Sequence, residues 1–340
     1  MKTAPAAPTS PAAAPPAPAG TAGQWLAYLA VRMAAEALTR LPLGAATALA
    51  KTLARAWHFL DRRHRLRMEG ALIRSLEVDA REAKRIARGV YPHFAAALVD
   101  FLRFPRMAPE EREACIAFDA QEVARLAELI RVRGAVFVTG HLGLWELGGA
   151  WAAWRGWIRA AIARPLKNPW LNAWVRRLRE GLGQTIWDRG GALRLALRTL
   201  RRGECFALVA DQDGGSGGAP VPFFGQASST MAAAADLAVA GRAPVIVAAA
   251  LREGPLRYRM VFTEPFAPDP DASDRTAERL RLLGEMNRRL EDLIRQAPEQ
   301  WIWHHRRWRT AERWASGELA PPPGFRPAGA PESGAPRRRP

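Results

Sequence analysis

The stretch GAVFVTGHLGLWELGGAW, from Gly134 to Trp151, puts one histidine, His141, just past a short apolar run and one glutamate, Glu146, five residues later. Residues spaced by five on one ideal helix project about 140° apart. The two side chains can meet only if His141 lies in a turn and Glu146 in the first turn of the helix that follows. Gly140 and Gly143 permit such a turn. The carboxylate would then hold one imidazole nitrogen, fix its tautomer and stabilise the imidazolium, while the other nitrogen takes a proton from a hydroxyl. The plainer alternative is a strand-end histidine satisfied by backbone, with a glutamate favoured near a helix N-terminus by the macrodipole.

Other polar residues fall at comparable places. Arg164 follows the apolar run IRAAIA, and an arginine there can bind phosphate bidentately. Lys167 and Asn168 come next and join it as candidate substrate-binding residues. Asp211 ends the run CFALVA beside Gln212, where it could orient Arg164 or a substrate hydroxyl; Asp213 is the weaker choice. Two aspartates with no histidine nearby give no reason to expect a metal. The glycines at 214, 215, 217 and 218 form a loop without the Gly-Lys-Ser/Thr ending of a phosphate-binding P-loop. In VPFFG, Phe223 and Phe224 are either an apolar wall for a substrate chain or simply core. Ser229 and Thr230 are expected to cap a helix over 231–240. His304, His305, Arg306 and Arg307 stand among Trp301, Trp303 and Trp308 and read as a membrane-interface patch or a basic surface helix.

The elements that must position these residues can be read from periodicity. The short apolar runs AVFVTG, IRAAIAR, QTIWDR, CFALVA and PVIVAAAL are strand-like. Helical segments at 144–155, 168–182 and 191–202 separate the first four, and one at 230–240 precedes the fifth. Strand–helix alternation predicts an α/β fold with a largely parallel central sheet covered by helices on both faces. The run LRYRMVFTEPF predicts an extra strand paired with PVIVAAAL, and a long helix is expected at 274–296. Parallel α/β sheets gather ligands at the carboxyl ends of their strands, so His141, Arg164 and Asp211 should face one crevice.

Upstream, GQWLAYLAVRMAAEALTRLP predicts a helix stopped by Pro42, with Arg32, Glu36 and Arg40 on one stripe. It is too charged to span a bilayer, which needs roughly 20 apolar residues. Its wide apolar face suits either a helix lying in a membrane interface or one packed on the domain. A second helix from about Ala45 leads into the basic WHFLDRRHRLRMEG, and helices are expected near 79–104 and 121–132.

The chain has 340 residues, and 50 Lys+Arg against 33 Asp+Glu give a net charge of +17. That charge favours an anionic partner, although arginine richness alongside so much alanine and proline also fits a GC-rich genome. The two cysteines, Cys115 and Cys205, form no framework, so a reducing compartment and no structural zinc are expected. Residues 1–22 and 316–340 are low-complexity tails expected to be disordered, which leaves one domain at 23–315. The N-terminus lacks an apolar stretch before Trp25 and makes a poor signal peptide.

GHLGLWELGGAW resembles the His-x4-Asp/Glu block of bacterial lipid A biosynthesis acyltransferases, within the lysophospholipid-acyltransferase-like superfamily. ARPLKNPWLNAWVRRLR, ALVADQDGGSGGAPVPFFGQASST and PEQWIWHHRRWR resemble further blocks of that family in the same order. One departure is RMEGALIRSL, where the family usually carries Asn-Leu. The resemblance implies transfer of an acyl chain from a thioester, on acyl carrier protein or coenzyme A, to a hydroxyl of a lipid A precursor, which is phosphorylated. It implies His141 as base, Glu146 as its partner, no acyl-enzyme and no cofactor. It also implies attachment to the cytoplasmic face of the inner membrane, on an anionic surface, by the N-terminal helices. Alternatives are another lipid acceptor, such as a lysophospholipid or glycolipid, or a non-catalytic basic protein binding lipid or nucleic acid. No helix-turn-helix, zinc finger or RNP signature is visible, so nucleic acid is not expected.

Overall fold

A computed structural model describes residues 20–163, 165–323 and 325; Arg164 and most of both low-complexity tails lie outside the described residues. The chain opens with α1 (Ala22–Arg40), α2 (Leu43–Leu60), α3 (Arg62–Leu76) and α4 (Ala80–Arg103), followed by the short α5 (Pro109–Ala114). The alternating part comprises β1 (Ile116–Ala117), α6 (Ala120–Arg133), β2 (Val136–Thr139), α7 (Trp145–Trp154), β3 (Ile158–Ala163), α8 (Pro169–Gly181), β4 (Ile186–Asp188), α9 (Arg189–Arg201) and β5 (Cys205–Val209). A small antiparallel pair, β6 (Ala219–Pro220) and β7 (Ser229–Thr230), precedes α10 (Ala233–Gly241), β8 (Val245–Gly254), β9 (Arg257–Phe262), α11 (Arg275–Gln296) and α12 (Arg309–Ala315).

The sheet order is β1-β9-β8-β2-β5-β3-β4. All neighbours are parallel except the β8–β9 hairpin. The α/β expectation and the extra hairpin strand both hold. Period-2 side-chain alternation accounts for the two cores. Val136, Val138, Phe206, Leu208, Val245 and Val247 face one side, beneath α9, α10 and α11. Phe137, Cys205, Ile246 and Ala248 face the other, against α6 and α7. The central strands β2, β5 and β8 are buried on both faces, which explains why they read as unbroken apolar runs.

Side-chain caps set many helix starts: Asp79 for α4, Asp119 for α6, Asn168 for α8 and Asp274 for α11. The basic segment expected to continue the second helix breaks at Asp61. That residue leaves helical geometry and accepts hydrogen bonds from the His64 backbone N–H and the Tyr91 hydroxyl. The segment after it is the separate helix α3. Among the described residues no helix is long and apolar enough to cross a membrane.

A buried polar junction ties α4 to the hairpin. Asp100, with no exposed surface, accepts from Arg252 Nε at 2.8 Å and from the Tyr258 hydroxyl at 2.7 Å. Burial, together with the Asp100 charge, holds the Tyr258 phenol well above its ordinary pKa. Removing the carboxylate strands a buried guanidinium. Asp100→Ala should therefore lower the unfolding free energy by about 3–5 kcal/mol in urea denaturation. Glu128→Ala, which frees the exposed Arg131, should leave the midpoint unchanged.

Candidate active site

The site follows from the register of the two central strands. In the parallel pair β2–β5, Thr139 lies opposite Val209, and Ala210 N–H donates to the Thr139 carbonyl at 2.9 Å. His141 and Asp211 each stand two residues past those partners, so the two loops leave the sheet side by side. Asp211 Oδ1 lies 2.8 Å from His141 Nδ1, and Oδ2 accepts from the His141 backbone N–H at 2.6 Å. Trp301 Nε1–H donates to the same Oδ2 at 2.8 Å. The carboxylate is fully buried, with each oxygen engaged. It can only accept, so Nδ1 carries the proton and Nε2 keeps its lone pair.

Two glycines make this geometry possible. A Cβ at Gly140 would stand 3.0 Å from Asp211 Oδ2. At Gly143 the backbone has φ +62°, and a Cβ would stand 2.0 Å from the Ala250 carbonyl oxygen. The turn between them is clamped from outside. Leu144 N–H donates to the Ala250 carbonyl, Gly143 N–H to the Gln300 carbonyl, and His93 Nε2 lies 3.4 Å from the Gly143 carbonyl. Burial pushes the His93 imidazole down to about 4, so it stays neutral and can serve as a plain donor.

Electrostatics favour a base at His141. Burial works against the imidazolium, but the charge and hydrogen bond of Asp211 outweigh it, with Glu146 adding to the field, and the pKa lies above the ordinary histidine value. Asp211 is shifted the other way: burial opposes its ionisation, and His141 with Trp301 more than restores it.

Glu146 does sit in the first turn of α7, as expected, but it does not hold the imidazole. Its carboxylate is gripped by Arg179 of α8, with Nε at 2.9 Å from Oε2 and Nη2 at 2.5 Å from Oε1. The His141 ring instead rests against Trp145, with centroids 4.7 Å apart. The expected His141–Glu146 hydrogen bond is thus replaced by His141–Asp211. The helical turn carries Glu146 toward α8, while strand pairing delivers Asp211.

Trp145, Glu146 and Arg179 line a cavity of about 80 Å³ that continues inward along the sheet. Its walls are mainly apolar, with Phe137, Ile158, Ile162, Leu208, Met260 and Phe262 among them.

The remaining expected residues have other placements. Arg164 lies outside the described residues. Lys167 is exposed, and its carbonyl accepts from Gln24 of α1. Asn168 caps α8 through Trp170 N–H and Leu171 N–H and donates to the Gln24 carbonyl, so it ties α1 to the domain. Gln212 is half-buried beside Asp211. Phe223 and Phe224 are core rather than cavity wall: they pack on Trp301, and Arg307 lies over Phe223. Ser229 and Thr230 form β7 and do not cap α10, whose start has no side-chain cap. Nor is WIWHHRRWR a surface helix. Trp301, Trp303 and Arg307 are all buried, and the Arg307 guanidinium, pushed down to about 10 by burial, holds the Ser229 carbonyl and the Thr230 hydroxyl. Arg179 and Trp301 were not foreseen as contacts of the site; Arg179 carries no local signal within α8. Among the described residues no group of three His, Cys, Asp or Glu side chains is placed to hold a metal.

The model of the family described as bacterial lipid A biosynthesis acyltransferase matches residues 20–310. The chain belongs to this family. No curated protein matches it. In this family member His141 stands at the carboxyl end of a central strand, where parallel α/β sheets gather their ligands, and rests on Trp145, which lines the apolar cavity.

NMR titration of His141 should give a pKa above about 6.5, the usual histidine value. In Asp211→Asn burial acts with its main opponent gone, so the value should fall below that mark. Glu146→Gln should lower it by less. An equal fall in both variants would mean that Asp211 is not the principal partner.

Proposed function

We propose that the protein moves a fatty acyl chain from an acyl thioester, on acyl carrier protein or coenzyme A, to a hydroxyl of a lipid A precursor. The observation that carries this reading is the His141–Asp211 pair, whose imidazole rests against Trp145, a lining residue of the apolar cavity. His141 Nε2 takes the proton of the acceptor hydroxyl as its oxygen attacks the thioester carbonyl. The imidazolium, stabilised by Asp211, then returns the proton to the departing thiolate, so an ester forms and a thiol leaves. No side-chain nucleophile is required. Asp211 is a positioning residue here, because it acts through the imidazole. The cavity takes the start of the acyl chain, and the Glu146–Arg179 pair closes its rim.

The N-terminal helices support a membrane-facing role at the inner membrane. On α2, Leu49, Leu53, Trp57 and Leu60 recur at helical spacing, and each is at least 45% exposed. Leu26 and Met33 of α1 are exposed as well, and Arg55, Arg62 and Arg63 flank the α2 stripe. Such a surface suits a helix lying in an anionic interface, its apolar side among the acyl chains and its arginines at the headgroups.

Replacing His141 by Ala should cut acyl transfer in vitro by about 10²–10⁴-fold, the usual contribution of a positioned base. The reaction needs the neutral imidazole, so the wild-type rate should fall as pH drops through a midpoint above about 6.5. Activity within a few-fold of wild type in His141→Ala would remove this mechanism. Ala207→Leu, which fills the cavity, should shift preference toward shorter acyl donors; an unchanged chain-length profile would place the chain elsewhere. Leu53→Glu with Trp57→Glu should weaken co-sedimentation with phosphatidylglycerol vesicles while leaving the unfolding midpoint intact. Undiminished sedimentation would take the α2 stripe out of membrane binding.

A further inference from the structure

The C-terminal segment whose Trp301 donates to Asp211 also lines a polar cleft of about 200 Å³. Arg63, Arg67 and Arg74 of α3 and Arg306 line it, together with His305 and a single carboxylate, Glu312. The arginines are poorly compensated. Arg306 reaches Glu312 only at 4.0 Å, and the Glu312 side chain is 60% exposed. Arg67 spends one bond on the His304 carbonyl at 3.4 Å, and Arg74 one on the Gln226 side-chain oxygen at 3.1 Å. Burial and the like charges of Arg306 and Arg63 depress the pKa of Arg67, and Asp61 and Glu312 offset them only in part. His305 contributes a buried Nδ1 with no hydrogen-bond partner among the described residues. The cleft is coupled to the reacting histidine: the fields of Asp211 and His141 both reach His305, and Trp301 in the same segment donates to Asp211.

We infer that this cleft binds a phosphomonoester of the acceptor lipid and so presents that lipid's hydroxyl to His141. Several planar guanidinium groups lining a pocket of this size match the tetrahedral, multiply accepting oxygens of a phosphate dianion better than an acyl chain or a neutral sugar. The two pockets have no lining residue in common, so the chain of the donor and the charged head of the acceptor would occupy separate sites. The inference rests on the acyl-transfer reading above for the acceptor's identity, but its test does not depend on catalysis.

The test is binding of the full chain to phosphatidylcholine vesicles carrying either a phosphorylated lipid A precursor or the same lipid after phosphatase treatment. Wild type should favour the phosphorylated form by roughly tenfold or more, the scale of one or two charge-assisted hydrogen bonds. R63Q/R306Q, both exposed positions, should erase the preference without moving the unfolding midpoint. R133Q/R242Q, at a separate basic groove, should keep it. Inorganic phosphate should compete with the phosphorylated lipid. Equal wild-type binding of the two lipids would overturn the inference, even if free phosphate binds, because the cleft would then serve the free ion. Equal losses in both double variants would also overturn it, because net charge alone would account for binding. Phosphate-dependent binding without acyl transfer would leave the cleft standing and sink the proposed reaction. Transfer without phosphate discrimination would do the reverse.

Discussion

The structure depends on the in-register pairing of two parallel strands. Residues opposite one another in β2 and β5 leave the sheet together, so His141 and Asp211 arrive as neighbours although 70 positions separate them. The contact is then enforced from several sides. The His141 backbone N–H and the Trp301 indole both donate to the carboxylate that orients the imidazole, and a side chain at Gly140 would collide with it. A charge buried this deeply is tolerated only because its oxygens are bonded and its partner can become cationic. Much of the C-terminal segment exists to maintain that arrangement. Trp301 is packed by Trp303 and Phe223, and Arg307 holds the strand that carries Ser229 and Thr230.

Around His141 the surroundings differ sharply in polarity. Toward Trp145 and α7 lies an apolar cavity along the sheet, with the Glu146–Arg179 ion pair among its lining residues. Toward α3 and Arg306 lies concentrated positive charge. The proposed transfer of a hydrocarbon chain to a charged lipid head would use both environments within reach of one base. Packing explains how the protein keeps them apart: α7 lies against β3 and β8, whereas α3 lies against α4.

The N-terminal helices add a third surface. α1 buries Ala35 against Leu102 and Trp174, and its start is tied by Gln24 to Lys167 and Asn168. Most of its larger apolar side chains, and most of those on α2, remain outside. A helix pair that spends so little of its apolar area on the domain leaves that area free for another apolar phase, and the arginines beside it limit which phase that can be.

Sequence alone determined the alternation of strands and helices, the β8–β9 hairpin and the placement of His141 and Asp211 at carboxyl ends. These follow from local periodicity and from strands buried on both faces. The resemblance of four short blocks also led to the family that the chain matches. Glu146 could be placed in a first helical turn, because that too is local. The partner of His141 could not be read, because it depends on strand order, and five short apolar runs do not say which lie side by side. The same holds for Arg179, which reaches Glu146 from another helix, and for the tryptophans of WIWHHRRWR, whose basic neighbours imitate a surface segment. Asn168, in a block that resembled a binding motif, became a helix cap, since an Asx side chain satisfies backbone donors wherever a helix begins beside it. Local propensity sets which element a residue belongs to, but the contact that gives a side chain its chemistry is decided by long-range pairing, which only the assembled sheet supplies.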